Sequence, residues 1–377
     1  MEIKIERTPE QVELVKAMAS KNREVAYEAQ AALGDFIGPI LAEVVNQAPT
    51  VSNLFNSLQF NSEDNASIPL DLYHDIGDED YVQIWSQNSP GGLPTNHVAP
   101  RQQEMKFTTY RLDSAVSFDK RFAARSRLDV VSKTFTRIAQ EILLKQERTA
   151  AVMIMTALAA AETNSKKHVF RSHTADRFLL ADLNKLFTLA KRINTAWTGG
   201  TPTERRGRGV TDIIVSPEIV EELRGMAYNP INTKLGPAGG AGADGIAATD
   251  EVRNAVFSSA GIPEFYGVSI MEINEMGTKQ KWNKVFDEVS NVAFDDHSGA
   301  GGAAAAFDSD TEEVILGIDL SRESLIRAVA VDAESGSEFD LVVDDQWVSR
   351  SQKIGYYGAL EEGRMILDDR VLTGIIV

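Results

Sequence analysis

Residues 126–161 contain neither glycine nor proline. Within them Leu128, Val131, Phe135, Ile138 and Ile142 recur at intervals of three and four, and the pattern continues loosely through Val152 and Leu158. That period predicts a single α-helix. At 1.5 Å per residue it is about 50 Å long, more than the diameter of a small domain. The helix is therefore either the core helix of a large domain or the spine of an extended protein. A chain of 377 residues has room for two domains or for one elaborated domain. At 43% hydrophobic residues it can bury a substantial core.

What precedes the helix is less regular. Thr8-Pro9-Glu10 has the form of a helix start: a capping hydroxyl, proline in the first turn and an early acid. Helical periodicity then runs to about Val45, with Pro39 expected to kink or break it. The apolar face (Val12, Val15, Ala19, Val25, Ala29, Leu33, Phe36) is weak, as in an arm lying on something or partly in solvent. Residues 81–85, YVQIW, read as a strand, and its expected partner starts at Glu104. There Met105, Phe107, Thr109 and Arg111 alternate with Lys106, Thr108 and Tyr110. Between them, NSPGGLPTNHVAPRQQ (88–103) holds three prolines and two glycines, a tip far longer than an ordinary hairpin turn. A two-stranded ribbon is marginal alone, so this one must lean on something, another subunit included.

After the helix, 179–193 is amphipathic and helical, and 197–209 is a loop containing TGGTPTERRGRG. Asp212-Ile213-Ile214-Val215 reads as a buried strand, followed by Ser216-Pro217-Glu218 as the cap of a helix over 219–226. This is the clearest local α/β signal. Residues 230–248 and 297–306 are glycine- or alanine-rich loops, and strands are expected at 268–273, 313–318 and 327–331. Trp347, Tyr356 and Tyr357 fall on strands, 361–363 reads as a turn, and 365–367 and 371–377 read as strands. The terminus is thus tied into a sheet. A sheet that closes back on earlier elements makes the helix-bearing domain discontinuous, with 174–330 inserted.

Composition removes several functions. The net charge is −17, from 38 basic and 55 acidic residues, which argues against a dedicated nucleic-acid binder. There is no cysteine, so disulfides, thiolate catalysis and cysteine zinc sites are excluded. The start, MEIKIE, has no apolar signal core, and the low-charge run 149–161 is too short to span a bilayer, so a soluble protein is expected. His168 and His173 stand five apart beside Lys166, Lys167 and Arg171, which opposes a metal ion. GGAGADG (239–245) lacks the Lys-Ser/Thr of a phosphate loop. Asp295-Asp296 and Asp344-Asp345 are paired acids without a calcium loop around them. An α/β enzyme would need residues such as His173, Asp212 and Asp295 to converge in a cleft. No set has catalytic spacing, so no catalytic, cofactor or metal residue is assigned. The basic stretch Arg121, Arg125, Arg127, Lys133 and Arg137 is a local exception to the acidic balance. It is either a charged helix face paired within the chain or a surface meeting an acidic face of a neighbouring copy.

The order of elements resembles that of the tailed-phage major capsid proteins with the HK97-like fold. TDIIVSPEIVEELRGMA (211–227) resembles the family's strand–helix, and DDQWVSRSQKIGYYGALEEGRMILDDRVL (344–372) its closing segment. The resemblance implies an α+β fold: an N-terminal arm (1–65), an extended hairpin loop (66–120), a peripheral domain with the spine helix (121–175), an axial α/β domain (176–335) and closing strands of the peripheral domain (336–377). It implies copies assembling as hexamers and pentamers of an icosahedral head around double-stranded DNA. It further implies no membrane and no enzymatic activity, with assembly in the bacterial host cytoplasm. A separate scaffolding protein, a portal and decoration proteins would be the other partners. Trp85, Phe107 and Tyr110 would anchor the hairpin, and Arg121, Arg125 and Arg127 would form ion pairs between subunits. Encapsulin-like compartment shells share this fold and are the near alternative.

Overall fold

A computed structural model describes residues 8–47, 51–61, 67–69, 104–125, 128–163, 167–194, 209–228, 264–265, 267–297, 302–331, 338–344 and 352–377. The expected strand at 81–85, the tip at 88–103 and the glycine-rich loop at 230–248 lie outside these. Helices α1 (Pro9–Ala17) and α2 (Arg23–Gln47) lead into a 3-10 turn, Val51–Leu54, and strands β1 (Asn56–Asn61), β2 (Ser67–Pro69), β3 (Glu104–Lys106) and β4 (Thr109–Asp119). Then come α3 (Lys120–Ala124), α4 (Leu128–Thr163), β5 (Val169–Arg171), α5 (Leu180–Asn194), β6 (Asp212–Val215) and α6 (Pro217–Tyr228). Strands β7 (Glu264–Phe265) and β8 (Val268–Glu272), helix α7 (Lys281–Val289), and strands β9 (Ala293–Phe294), β10 (Ala305–Ala306) and β11 (Val314–Ile318) follow. The chain closes with β12 (Leu325–Val331), β13 (Asp340–Asp344), β14 (Lys353–Ile366) and β15 (Leu372–Ile376). The architecture is mixed α+β, as expected. The described residues form two compact units. The first comprises Met1–Ile68, Glu104–Ala151 and Leu325–Met365, and the second Pro69–Gln103, Val152–Ser324 and Ile366–Val377.

In the first unit, Thr8 caps α1 by accepting from Gln11 N–H, and Asn22 caps α2 by accepting from Glu24 N–H. The helical region therefore breaks at 18–22, not at Pro39, around which α2 is continuous. A proline inside a helix costs roughly 3 kcal/mol through a lost hydrogen bond and a steric clash. Burial of Leu33, Ile37 and Leu41 on one face offsets that cost, while Pro39 lies on the exposed face. Two glycines bring α2 close to β13: a Cβ at Gly34 would lie 3.2 Å from the Leu341 carbonyl oxygen.

The sheet of this unit runs β1-β12-β14-β13, and β4 also pairs with β14. Strand β14 is its centre. It pairs antiparallel with β4 from Lys353 to Gly363 and with β13 from Gly355 to Ala359. The expected turn at 361–363 is therefore strand, because β4 supplies backbone partners through Glu361, Glu362 and Gly363. Strand β3 pairs with β2. Tyr356 of β14 is 1% exposed and meets Phe135 of α4 edge-on at 5.2 Å between ring centroids. Phe118 of β4 stacks on it at 6.4 Å, and the Tyr356 hydroxyl donates to the Gln30 carbonyl of α2. Three elements thus share one aromatic side chain as a packing centre.

The second unit holds a six-stranded sheet in the order β5-β15-β11-β6-β8-β7. Strand β15 pairs antiparallel with β11 and parallel with β5, and all five of its residues are buried. Leu183, Leu186 and Ala190 of α5 and Ile219, Val220 and Leu223 of α6 pack with Ile213, Val215, Ile315 and Ile375 of the sheet. The Ser216 hydroxyl accepts from Ile219 N–H and starts α6 where the sequence places the cap.

At Gly358 the ring of Phe339 occupies the space of a side chain, with its Cζ where a Cβ would press. Phe339 is buried and has little room to retreat. Gly358→Ala should destabilise the first unit by about 1–3 kcal/mol. Chemical denaturation measures this, and a second change, Phe339→Leu, should recover part of the loss.

Candidate functional site

The enzyme alternative is tested by where its residues fall. Asp212 opens β6 and accepts a hydrogen bond from the Thr211 hydroxyl at 2.7 Å. His173 follows β5, and its backbone N–H donates to Asp182 Oδ1 at 2.8 Å. Strands β15 and β11 lie between β5 and β6. At about 4.8 Å per strand that separates them by roughly 14 Å. Asp295 is ion-paired with Lys167 at 2.5 Å, and both side chains are 75% exposed. The three residues do not converge.

A serine–histidine contact does occur, between Ser172 Oγ and His297 Nδ1 at 3.2 Å. The hydroxyl, however, donates to the Thr174 carbonyl at 2.7 Å. Nδ1 also faces the Ser172 carbonyl oxygen at 3.0 Å, so it carries the hydrogen and cannot act as base toward the hydroxyl. Ser172 is fully buried, and the contact ties the β9–β10 region to β5. Among the described residues no group of three or more His, Asp or Glu could hold a metal ion.

The densest polar constellation lies instead in the first unit. Glu362 of β14 has no exposed side-chain surface. Its Oε2 accepts from Arg327 Nε of β12 at 2.8 Å and from Gln146 Nε2 of α4 at 3.0 Å. Its Oε1 accepts from the Tyr110 hydroxyl of β4 at 2.7 Å and from Arg364 Nη2 at 3.4 Å. Arg364 also donates to the Ser52 hydroxyl and lies 5.2 Å over the Phe55 ring. The next residue of α4, Glu147, accepts from the backbone N–H groups of Val51 and Ser52 and caps the 3-10 turn. Burial by itself would raise the Glu362 carboxyl, but Arg364 and Arg327, with the Tyr110 hydroxyl, hold it below its ordinary value. Burial and the facing Glu362 carboxylate push Tyr110 up to about 12. A carboxylate held ionised and an unionised phenol form a fixed joint with no proton to transfer near neutral pH. Beside the joint, Ser52, Phe55, Leu58, Gln59, Arg327 and Glu338 line a groove of about 440 Å³.

Of the contact residues named from the sequence, Tyr110 belongs to this joint. Phe107 is half-buried in the link between β3 and β4. Arg121 is exposed and pairs with Asp119, the residue that caps α3, at 3.0 Å. Arg125 is exposed at the end of α3. Trp85 and Arg127 lie outside the described residues. Glu362, Arg364, Arg327 and Gln146 were not among the candidates. Their signal is a Glu and an Arg in phase with Ile354, Tyr356 and Leu360, which period-two alternation places on the core face.

No family model and no curated protein matches the chain. Solved structures do resemble it. The capsid of the cyanophage P-SCSP1u shares 15% identity over 85% of this chain and 86% of its own, with a TM-score of 0.43. The mature capsid of bacteriophage PhiM1 shares 12% identity over 87% of this chain and 86% of its own, with a TM-score of 0.41. The holo-SrpI encapsulin complex from Synechococcus elongatus PCC 7942 shares 13% identity over 73% of this chain and 75% of its own, with a TM-score of 0.39.

Glu362→Gln would leave two buried guanidinium groups without their counter-charge. We expect a loss of about 3–5 kcal/mol, read by chemical denaturation. Because the Glu362 carboxyl is depressed, its contribution is present above the ordinary carboxylate range and lost as pH falls through the depressed value.

Glu313, the residue before the second unit's β11, has the opposite sign. Burial, together with the neighbouring Glu218 and Glu222, raises it from 4.5 to about 7 despite a hydrogen bond from Ser216. Its cost to stability is absent below pH 4.5, grows between 4.5 and about 7, and is constant above. Glu313→Gln should therefore stabilise the protein above pH 7, by up to about 3 kcal/mol, and change nothing near pH 4. Thermal melts across that range check it.

Proposed function

We propose that this chain is a shell subunit with the HK97-like fold, a tailed-phage major capsid protein that self-assembles as hexamers and pentamers of an icosahedral head around double-stranded DNA. The Glu362 joint is the observation that carries the reading. Besides Arg327 of β12, one buried carboxylate holds together groups from the segment after the N-terminal helices (through Arg364 and Ser52), from the return strand after 66–103 (Tyr110), from the long helix (Gln146) and from the closing strands (Arg364). Those are the arm, hairpin, spine and closing strands that the element order assigns. Nothing in the joint turns over a substrate. It is suited to carrying load among long elements, which is the task of a shell subunit.

On this reading the arm is 1–65, the hairpin loop 66–120, the peripheral domain 121–175 with 336–377, and the axial domain 176–335. Trp85, Phe107 and Tyr110 anchor the hairpin to its support, and Arg121, Arg125 and Arg127 meet acids of an adjacent subunit. A scaffolding protein, a portal and decoration proteins complete the virion. The net charge of −17 suits a container whose DNA must slide in without sticking. An encapsulin-like compartment is the second reading, since it would use the same subunit architecture around a protein cargo.

Negative-stain imaging and light scattering on the purified full chain test this. Closed shells, or free hexamers and pentamers, are expected, and their diameter separates a phage head from a small compartment. A variant lacking 88–103 should keep its circular dichroism and lose assembly. A full chain that stays monomeric or dimeric at high concentration, with its scaffolding partner present, would overturn the reading.

A further inference from the structure

We infer that the outer face of α2 in one copy docks on the outer face of α4 in a second copy. The inference rests on the self-assembly reading and names the surfaces through which one contact is made. Both faces belong to the first unit. The inner face of α2 is buried through Leu33, Ile37 and Leu41, whereas Phe36 is 56% and Val25 42% exposed on its outer side. Exposed apolar side chains at helical spacing on one face mark a contact surface when they are rimmed by charge. Here the rim is acidic: the exposed charged residues of α2 are Glu24, Glu28, Asp35 and Glu43 against Arg23.

The outer face of α4 has the opposite character. Between Leu128 and Ala151 its exposed charged residues are Lys133, Arg137, Lys145 and Arg148 against Asp129 and Glu141. Leu144 lies among them and is 42% exposed. None of these four cations forms an ion pair with another described residue, and neither do Glu28 and Asp35. Lys133 and Arg137, the end of the basic stretch that stood out from the sequence, and Lys145 and Arg148 beyond it, thus have no ion-pair partner among the described residues.

The two ladders also match in pitch. Glu24, Glu28 and Asp35 span eleven residues, and Arg148, Lys145 and Arg137 span eleven. Each covers about 16 Å of helix axis. Run antiparallel, acid meets base at all three positions. Exposed ion pairs are individually weak, on the order of 0–1 kcal/mol. Their role here is to steer and select, while Leu144 with Val25 excludes water toward one end of the ladder and Phe36 covers the other. The contact is heterologous: every copy offers one acidic and one basic face, so docking propagates from copy to copy and closes as a ring when the rotation allows. It also explains how a chain repelled from its own kind by net charge can still associate, through local complementarity.

Charge reversal tests the pairing. E28K/D35K gives a chain with two basic faces, and R137E/K145E, at the two facing positions, one whose α4 face is acidic. Each should lower the assembled fraction in light scattering at least tenfold at low salt, with unchanged circular dichroism. The four substitutions combined in one chain restore the complementarity with the signs exchanged and should recover assembly. Neutral E28Q/D35N should give a smaller loss, and keeps the test readable if a reversal disturbs folding. Three outcomes overturn the inference. If either reversed chain assembles like wild type, the faces do not meet. If the combined chain fails to recover while folded, the acidic face of α2 serves a different partner. If the wild-type chain itself does not assemble, the self-assembly reading falls and this contact falls with it.

Discussion

A charged group without access to water must be matched where it stands, and Glu362 is such a group. Its carboxylate is satisfied only when β4, α4, β12 and β14 all arrive in register. Misplacing any one of them leaves an uncompensated buried charge, which costs far more than a lost apolar contact. The joint therefore penalises alternative arrangements more than it stabilises the native one. Around it the requirement is looser, because Tyr356, Phe135 and Phe118 need only fill space. Polar specificity at one end of β14 and aromatic packing at the other fix the strand along its length.

Much of this architecture was legible in the sequence where a single period dominates. The long helix is found as α4, Leu128–Thr163, because apolar residues at three and four have no competing signal over ten turns. Thr8 and Ser216 cap helices where their spacing says they should. The strand–helix β6–α6 and the buried closing strand β15 are likewise read from local pattern. The misreadings share one cause, which is tertiary support for a locally unfavourable residue. Pro39 does not end α2, because the opposite face of that helix is packed. Glu361-Glu362-Gly363 is not a turn, because β4 supplies backbone partners and two arginines supply counter-charge.

The site was legible only in part for the same reason. Tyr110 could be singled out from the alternation of its own strand. Its partner Glu362 is 252 residues away, and Arg327 and Gln146 come from two further elements. Nothing in one sequence links residues so far apart. The composition was more telling about what the molecule does not concentrate: its acids are spread widely. Buried Glu313 and ionised Glu362 show how differently two such groups behave once folded. Burial and like charge push one up to about 7, while arginines hold the other ionised.

Strand β15 has a consequence for how the protein is made. It is an interior strand of its sheet, between β5 and β11, and its last residue is Ile376. A ribosome emits β5, β6, β8 and β11 long before it, so during translation the sheet exists with a gap where its penultimate strand belongs. Loop closure over such sequence distances is slow. Until the gap fills, β5 has no neighbour in the sheet and β11 is open along one edge. Nascent chains on one messenger are crowded together at that moment, and their open edges could pair with one another. The second unit's sheet can thus be completed only once synthesis has passed residue 376.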